Sequence, residues 1–169
     1  MMTITYPVHN GIYVNVTNRC PCACTFCLRQ NGESVYRSDS LWLEREPTVK
    51  EVCDSIDTWD LNKYNEVVFC GYGEPTERLD DLLEVAKYIK SKSDIKIRIN
   101  TNGLADLIWN EPTAPKLQGL IDTVSISLNA TNKEEYLKIV HPKFGIESYE
   151  AMLKYTKECT KYVGSVVMT

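Results

Sequence analysis

The sequence is poor in histidine and has no basic block and no long apolar run. Its two histidines, His9 and His141, stand far apart, so they are weak metal-ligand candidates. Lysine and arginine are scattered, and 23 acidic residues outnumber the 19 basic ones, giving a net charge of −4. A general binder of nucleic-acid backbone is therefore disfavoured, and nucleic acid is not an expected partner. No stretch approaches the roughly 18 apolar residues of a membrane span, so no membrane partner is expected. Met1 to Asn10 lacks a basic stretch followed by an apolar one. No secretory signal is expected, and the cytoplasm is the expected compartment. Repeats, low-complexity tracts and linkers are also missing. The length suits one domain, residues 1–169, with enough chain to bury a core.

Cysteine is plentiful. There are seven, and four of them fall within Cys20 to Cys27. In a reducing compartment such residues serve as metal ligands, catalytic groups or buried thiols more often than as disulfides.

Two patterns alternate along the chain. Short β-branched runs at Ile12–Thr17, Glu66–Cys70, Ile95–Thr101, Thr123–Leu128 and Ser165–Met168 favour strands. Between them lie segments of helical period. In Leu79–Lys92 the residues Leu79, Leu82, Leu83, Ala86 and Ile89 share one face. Pro47–Trp59 is a second helix, opened by Thr48 and Glu51 at capping-box spacing. Asn132–Val140 and Ser148–Tyr162 follow, with Asn132 and Glu135 again spaced as a cap. Asp106–Leu120 is interrupted by Pro112 and Pro115. Strand, helix, strand at this spacing is a βαβ repeat, and right-handed crossovers make its sheet parallel. The expected fold is α/β: an open partial (βα) barrel of about five parallel strands. Five are too few to close an eight-stranded barrel. Ligands in such sheets sit beyond the carboxyl ends of the strands.

The first strand runs straight into Asn18-Arg19-Cys20-Pro21-Cys22-Ala23-Cys24-Thr25-Phe26-Cys27. Inside it is C-x3-C-x2-C. Three thiolates on one short loop can hold three irons of a cubane cluster, leaving the fourth iron open to a small molecule. A zinc site would instead need Cys22 as its fourth ligand, at a spacing tighter than a usual zinc knuckle.

This segment resembles the signature of the radical S-adenosylmethionine (SAM) superfamily. The resemblance implies that Cys20, Cys24 and Cys27 ligate a [4Fe–4S] cluster, and that Phe26 lies against the adenine of SAM. Cys22 has no counterpart role. The second strand runs into Cys70-Gly71-Tyr72-Gly73-Glu74-Pro75-Thr76. Glycines there let backbone approach a ligand, and Glu74 offers a carboxylate to an ammonium group. Gly71, Gly73, Glu74 and Pro75 resemble the family's Gly-Gly-Glu-Pro motif for the amino group of SAM, with Tyr72 inserted. The bland alternative is a glycine-proline turn leaving a strand. Asn100-Thr101-Asn102-Gly103 ends the third strand and resembles the family's Thr-Asn-Gly near the methionine part of SAM, with Asn102 also a turn former. On the fourth strand Ser125, Ser127 and Asn129 share a face, which is unusual on a buried parallel strand. In the family this strand contacts the ribose or carboxylate of SAM. The alternative is that these groups satisfy neighbouring loops.

The likeness spans residues 12–130. The runs Thr17–Cys27, Ser40–Thr48 and Phe69–Thr76 further resemble TatD-associated radical SAM proteins, a group whose substrate is not established. The implied enzyme cleaves SAM reductively to a 5′-deoxyadenosyl radical, which takes hydrogen from an unassigned substrate, a protein among the candidates. An electron donor such as flavodoxin or ferredoxin is implied as a partner. A complete family core has six βα units, and this sequence stops at its fifth strand. The resemblance thus implies either a missing C-terminal part or a reduced member. Substrate-contact candidates lie in residues 28–46: Arg29, Gln30, Asn31, Tyr36, Arg37, Trp42 and Arg45. The rival view is a solvated loop whose Trp42 and Leu43 plug the core. Two other functions stand beside the enzyme: a non-catalytic zinc- or cluster-binding module serving a partner, and an activase that installs a glycyl radical.

Overall fold

The computed structural model describes residues 2–24 and 41–169. Six strands form one sheet in the order β1 (Thr5–Val8), β2 (Gly11–Val14), β3 (Glu66–Phe69), β4 (Lys96–Thr101), β5 (Thr123–Ile126) and β6 (Ser165–Met168). β2 to β6 pair in parallel, in sequence order. These are the five expected strands, and the sheet is not closed. Sequence reasoning missed β1, which pairs antiparallel with β2 through a tight hairpin at His9 and Asn10. His9 takes a left-handed φ of 51°, as such turns require. Pro7 argues against a strand from sequence, yet it is tolerated because β1 is an edge.

Among the described residues, five α-helices accompany the strands: α1 (Val49–Asp57), α2 (Leu79–Lys92), α3 (Ala105–Trp109), α4 (Lys133–Val140) and α5 (Glu147–Cys159). The Thr48–Glu51 capping box is formed in both directions. Asn132 accepts from Glu135 N–H at 2.9 Å and caps α4. The proline-interrupted segment divides. α3 stops at Asn110, left-handed at φ 53°, and a short 3-10 turn at Ala114–Leu117 follows.

Alternation along the strands separates two faces. Val14, Val67, Phe69, Ile97, Ile99, Val124 and Ile126 face the helices and pack with Leu79, Leu82, Ala86, Ile89 and Met152 in one core. Burying each such side chain is worth about 1.5–3 kcal/mol. The opposite face is more polar. β4 alternates there through Arg98 and Asn100, both only partly buried, between buried Ile97, Ile99 and Thr101. A small second cluster of Tyr6, Val8, Leu41 and Tyr72 covers its β1–β2 edge.

Arg78 ties the chain just after β2 to the chain just before α1. Its side chain is 8% exposed, and Nη1 donates to Val16 O at 2.9 Å and Pro47 O at 2.7 Å. Nε and Nη2 donate to Asp81 Oδ2. Arg78→Met keeps the apolar stem and leaves two buried carbonyls without donors. The expected loss is about 3 kcal/mol of unfolding free energy. It should read as a lower denaturant midpoint at unchanged slope.

Candidate metal and cofactor site

β2 continues past Val14 into the cysteine loop, whose described residues are tied down at several points. Asn15 is fully buried and donates through Nδ2 to Leu41 O at 2.8 Å. Asn18 exchanges two hydrogen bonds with the backbone of Leu43, a strand-like pairing made by a side chain. Thr17 Oγ1 donates to Glu46 Oε1 at 2.8 Å and accepts from Arg19 N–H at 3.0 Å. Farther on, Ala23 N–H donates to Val140 O, Lys143 N–H donates to Pro21 O, and Cys22 bridges Pro142. The end of α4 thus holds the loop from the other side.

The loop after β3 lies directly against this one. Glu74 N–H donates to Arg19 O at 2.7 Å. A Cβ on Gly73 would stand 2.1 Å from Thr17 O and 2.8 Å from Arg19 O. A Cβ on Gly71 would stand 2.3 Å from Asn15 Oδ1. Both glycines therefore let the two loops approach each other, a reason that no local sequence pattern carries.

Together the loops enclose a cavity of about 240 Å³ at the carboxyl ends of β2 to β5. Of the residues proposed from sequence, Cys20, Cys24, Gly71, Gly73, Glu74, Asn100, Asn102, Ser127 and Asn129 line it. Ser125 lies lower on β5 and does not line it, and Pro75 starts a 3-10 helix leading away. Phe26 and Cys27 lie outside the described residues, as do Arg29, Gln30, Asn31, Tyr36 and Arg37. Of the loop residues after them, Leu43 is buried and plugs the core, whereas Trp42 is 42% exposed with its ring 5.1 Å from that of Tyr72. Arg45 pairs with Glu51 at the surface.

Four lining residues had no role in the cluster and SAM reading of the sequence: Cys22, which only the rival zinc site used, Cys70, Tyr72 and Thr101. Thr101 is instructive. Alternation sends it to the core side, where it is indeed buried. At the strand end its hydroxyl nonetheless reaches Glu74 Oε1 at 2.5 Å.

Glu74 is the electrostatic centre of the cavity. It is 4% exposed. Its carboxylate accepts from the hydroxyls of Thr101 and Thr76 and from the N–H groups of Thr76 and Asn102. Burial raises its pKa above the ordinary carboxylate value, against the pull of those donors. No ion pair among the described residues includes Glu74. Cys22 is buried, and hydrogen bonding with the Cys20 and Cys24 thiols, followed by burial, pushes its own thiol far above the ordinary range. Burial raises Cys70 too, partly offset by a hydrogen bond from Asn100. Among the described residues no three His, Cys, Asp or Glu side chains form a metal-binding group. Cys20 and Cys24 need a third ligand from beyond them.

The donor set fits a thiolate-bound iron cluster beside a cationic amino-acid ligand. Cys20 and Cys24 share the cavity with the buried carboxylate of Glu74, which has no cationic partner among the described residues. Asn100 lines it as well, and its Oδ1 is buried without a partner among the described residues. Tyr136, near Cys22 and Cys24, also has a buried hydroxyl without one. Such groups call for a ligand to complete them.

The family model of the radical SAM superfamily matches residues 14–169, and the chain belongs to that superfamily. Enzymes of this superfamily use a [4Fe–4S] cluster and SAM. Among individual relatives, the chain is 26% identical over 133 residues to a GTP 3′,8-cyclase of Lactiplantibacillus plantarum, covering 78% of this chain and 37% of the relative. The corresponding cyclase of Limosilactobacillus fermentum is 28% identical over the same coverage. A "probable dual-specificity RNA methyltransferase RlmN" of Staphylococcus carnosus is 22% identical over 159 residues, 89% of this chain and 42% of the relative. The chain thus spans about two fifths of the length of the relatives it matches. No helix among the described residues is long and apolar enough to cross a membrane.

Proposed function

We propose that this chain is a radical SAM enzyme that forms a 5′-deoxyadenosyl radical and uses it to take hydrogen from a substrate. The supporting observation is that the cysteine loop, the buried Glu74 and the polar ends of β4 and β5 line a single cavity. In this assignment Cys20, Cys24 and Cys27 hold the cluster. Glu74 receives the amino group of SAM, its charge balanced by that cation rather than by another side chain. Asn100 Oδ1, Ser127 and Asn129 supply hydrogen bonds for the remaining polar groups of SAM, and Phe26 lies against the adenine. Thr76, Thr101 and Asn102 keep Glu74 from rotating away. When bound, cluster and SAM together supply reductive cleavage of the sulfonium. The protein's share is to orient the pair and exclude water.

An electron donor of the flavodoxin or ferredoxin kind serves as reductant. The narrower likeness to TatD-associated proteins rests on the sequence runs named above. No observation favours a non-catalytic module, since the relatives bear the names of enzymes. The test is anaerobic. The chain is reconstituted with iron and sulfide, then given SAM and dithionite. The expected result is about four irons per chain and 5′-deoxyadenosine well above a cluster-free control. An intact cluster with no 5′-deoxyadenosine above that control contradicts the assignment.

A further inference from the structure

The Thr101–Gly103 turn fixes one side chain in a single orientation. Asn102 N–H donates to Glu74 Oε2 at 2.8 Å, and Asn102 Oδ1 accepts from Leu104 N–H at 3.0 Å. Exchanging the amide's two ends would set one donor against another at Leu104, so the orientation is determined by the network. Behind the turn, Gly103 sits at φ 78°, where a Cβ would meet Met152 at 2.9 Å and Ile126 at 3.1 Å. The turn cannot shift without disturbing the core. Its amide nitrogen consequently points at the cysteine loop. Nδ2 lies 3.5 Å from Cys22 Sγ and 3.9 Å from Cys20 Sγ. A turn former needs only the Oδ1 contact. The placement of two amide hydrogens beside two sulfurs is additional.

We infer that Asn102 is a positioning residue for the cluster. It donates an N–H to the Cys20 thiolate and keeps Cys22 turned toward itself, which raises the cluster's reduction potential. The inference rests on the cluster assignment made above. Its physical basis is that reduction adds negative charge to the ligand sulfurs. A fixed N–H dipole aimed at one of them favours the reduced state. The effect is strengthened in a site with little water.

Asn102→Ser and Asn102→Asp test it in the full chain after anaerobic reconstitution. The serine hydroxyl can still accept from Leu104 N–H but does not reach the sulfurs. The aspartate keeps Oδ1 and replaces the donor with an acceptor. The readouts are iron content, circular dichroism and a redox titration followed by electron paramagnetic resonance. Both variants should keep wild-type iron and fold. At a given poise the ratio of reduced to oxidised cluster should fall about tenfold, a negative shift of about 59 mV for one electron. Where only one variant loads, its potential decides. An unchanged potential overturns the inference. Loss of fold or iron in both variants overturns it too, because Asn102 would then be a structural turn residue. A wild-type chain that takes up no cluster refutes the parent assignment instead, and that result is seen before any variant is made.

Discussion

Cys24→Ala should leave the chain folded but without a stable cluster, and 5′-deoxyadenosine formation should fall to the cluster-free background. Two thiolates cannot hold a cubane that three hold. The loss should exceed the ~10–100-fold that follows removal of an outer-shell partner of a metal site. Cys22→Ala is the matched control. Cys22 is also buried and lines the cavity, but it is engaged with the other two thiols and with Asn102. Its removal should keep iron near the wild-type level. If Cys22→Ala loses the metal and Cys24→Ala keeps it, the ligand assignment is wrong. The comparison is informative because the loop does not depend on either sulfur for its shape. Backbone bonds from Ala23 to Val140 and from Lys143 to Pro21 hold it whichever cysteine is truncated.

Glu74→Gln should weaken SAM binding to the reconstituted chain by roughly 10–100-fold. That corresponds to the loss of a charge-assisted hydrogen bond of about 1.5–3 kcal/mol. Equilibrium dialysis under anaerobic conditions measures it. The variant also destabilises the cluster-free chain. Four donors converge on the native carboxylate, and an amide offers only one oxygen in place of two, so one donor is left facing an NH₂ group. The expected cost is about 1–3 kcal/mol. The two chains should differ with pH as well. Burial raises the native pKa of Glu74 above its unfolded value. Its contribution is fully present below the unfolded pKa and is lost as pH rises through the native one. Across that window wild-type stability falls with rising pH relative to Glu74→Gln. A difference of the opposite sign, or none, contradicts the dominance of burial over the four donors at Glu74.

Much of the fold was legible because it obeys local periods. Leu79–Lys92 has the bounds its apolar stripe implied, and the two caps at Thr48 and Asn132 formed as their spacing required. β1 was not legible, because a four-residue edge strand containing Pro7 carries no signal stronger than its partner's. The site divides in the same way. The cysteine spacing, the glycine-flanked Glu74 and the polar Ser127 and Asn129 could be read as groups gathered at strand ends, but not as one strand face, because β5 stops at Ile126 and Asn129 is left-handed at φ 67°. The use of Gly71 and Gly73 could not, since the atoms they admit belong to Asn15, Thr17 and Arg19, more than fifty residues earlier. Nor could the bridge from Cys22 to Pro142, which joins segments that no short window contains. Thr101 shows the limit of alternation: it assigns a face along a strand but not what a side chain reaches where the strand stops.

SAM labelled with nitrogen-15 at its amino group provides the most direct measurement. The reconstituted chain is reduced, the labelled compound is added, and electron-nuclear double resonance is recorded on the cluster signal. A site-differentiated iron predicts hyperfine coupling from the label and a changed cluster spectrum. No coupling, with a spectrum identical before and after addition, would mean that every iron already has its full set of protein ligands, and that this cavity does not bring SAM to the metal.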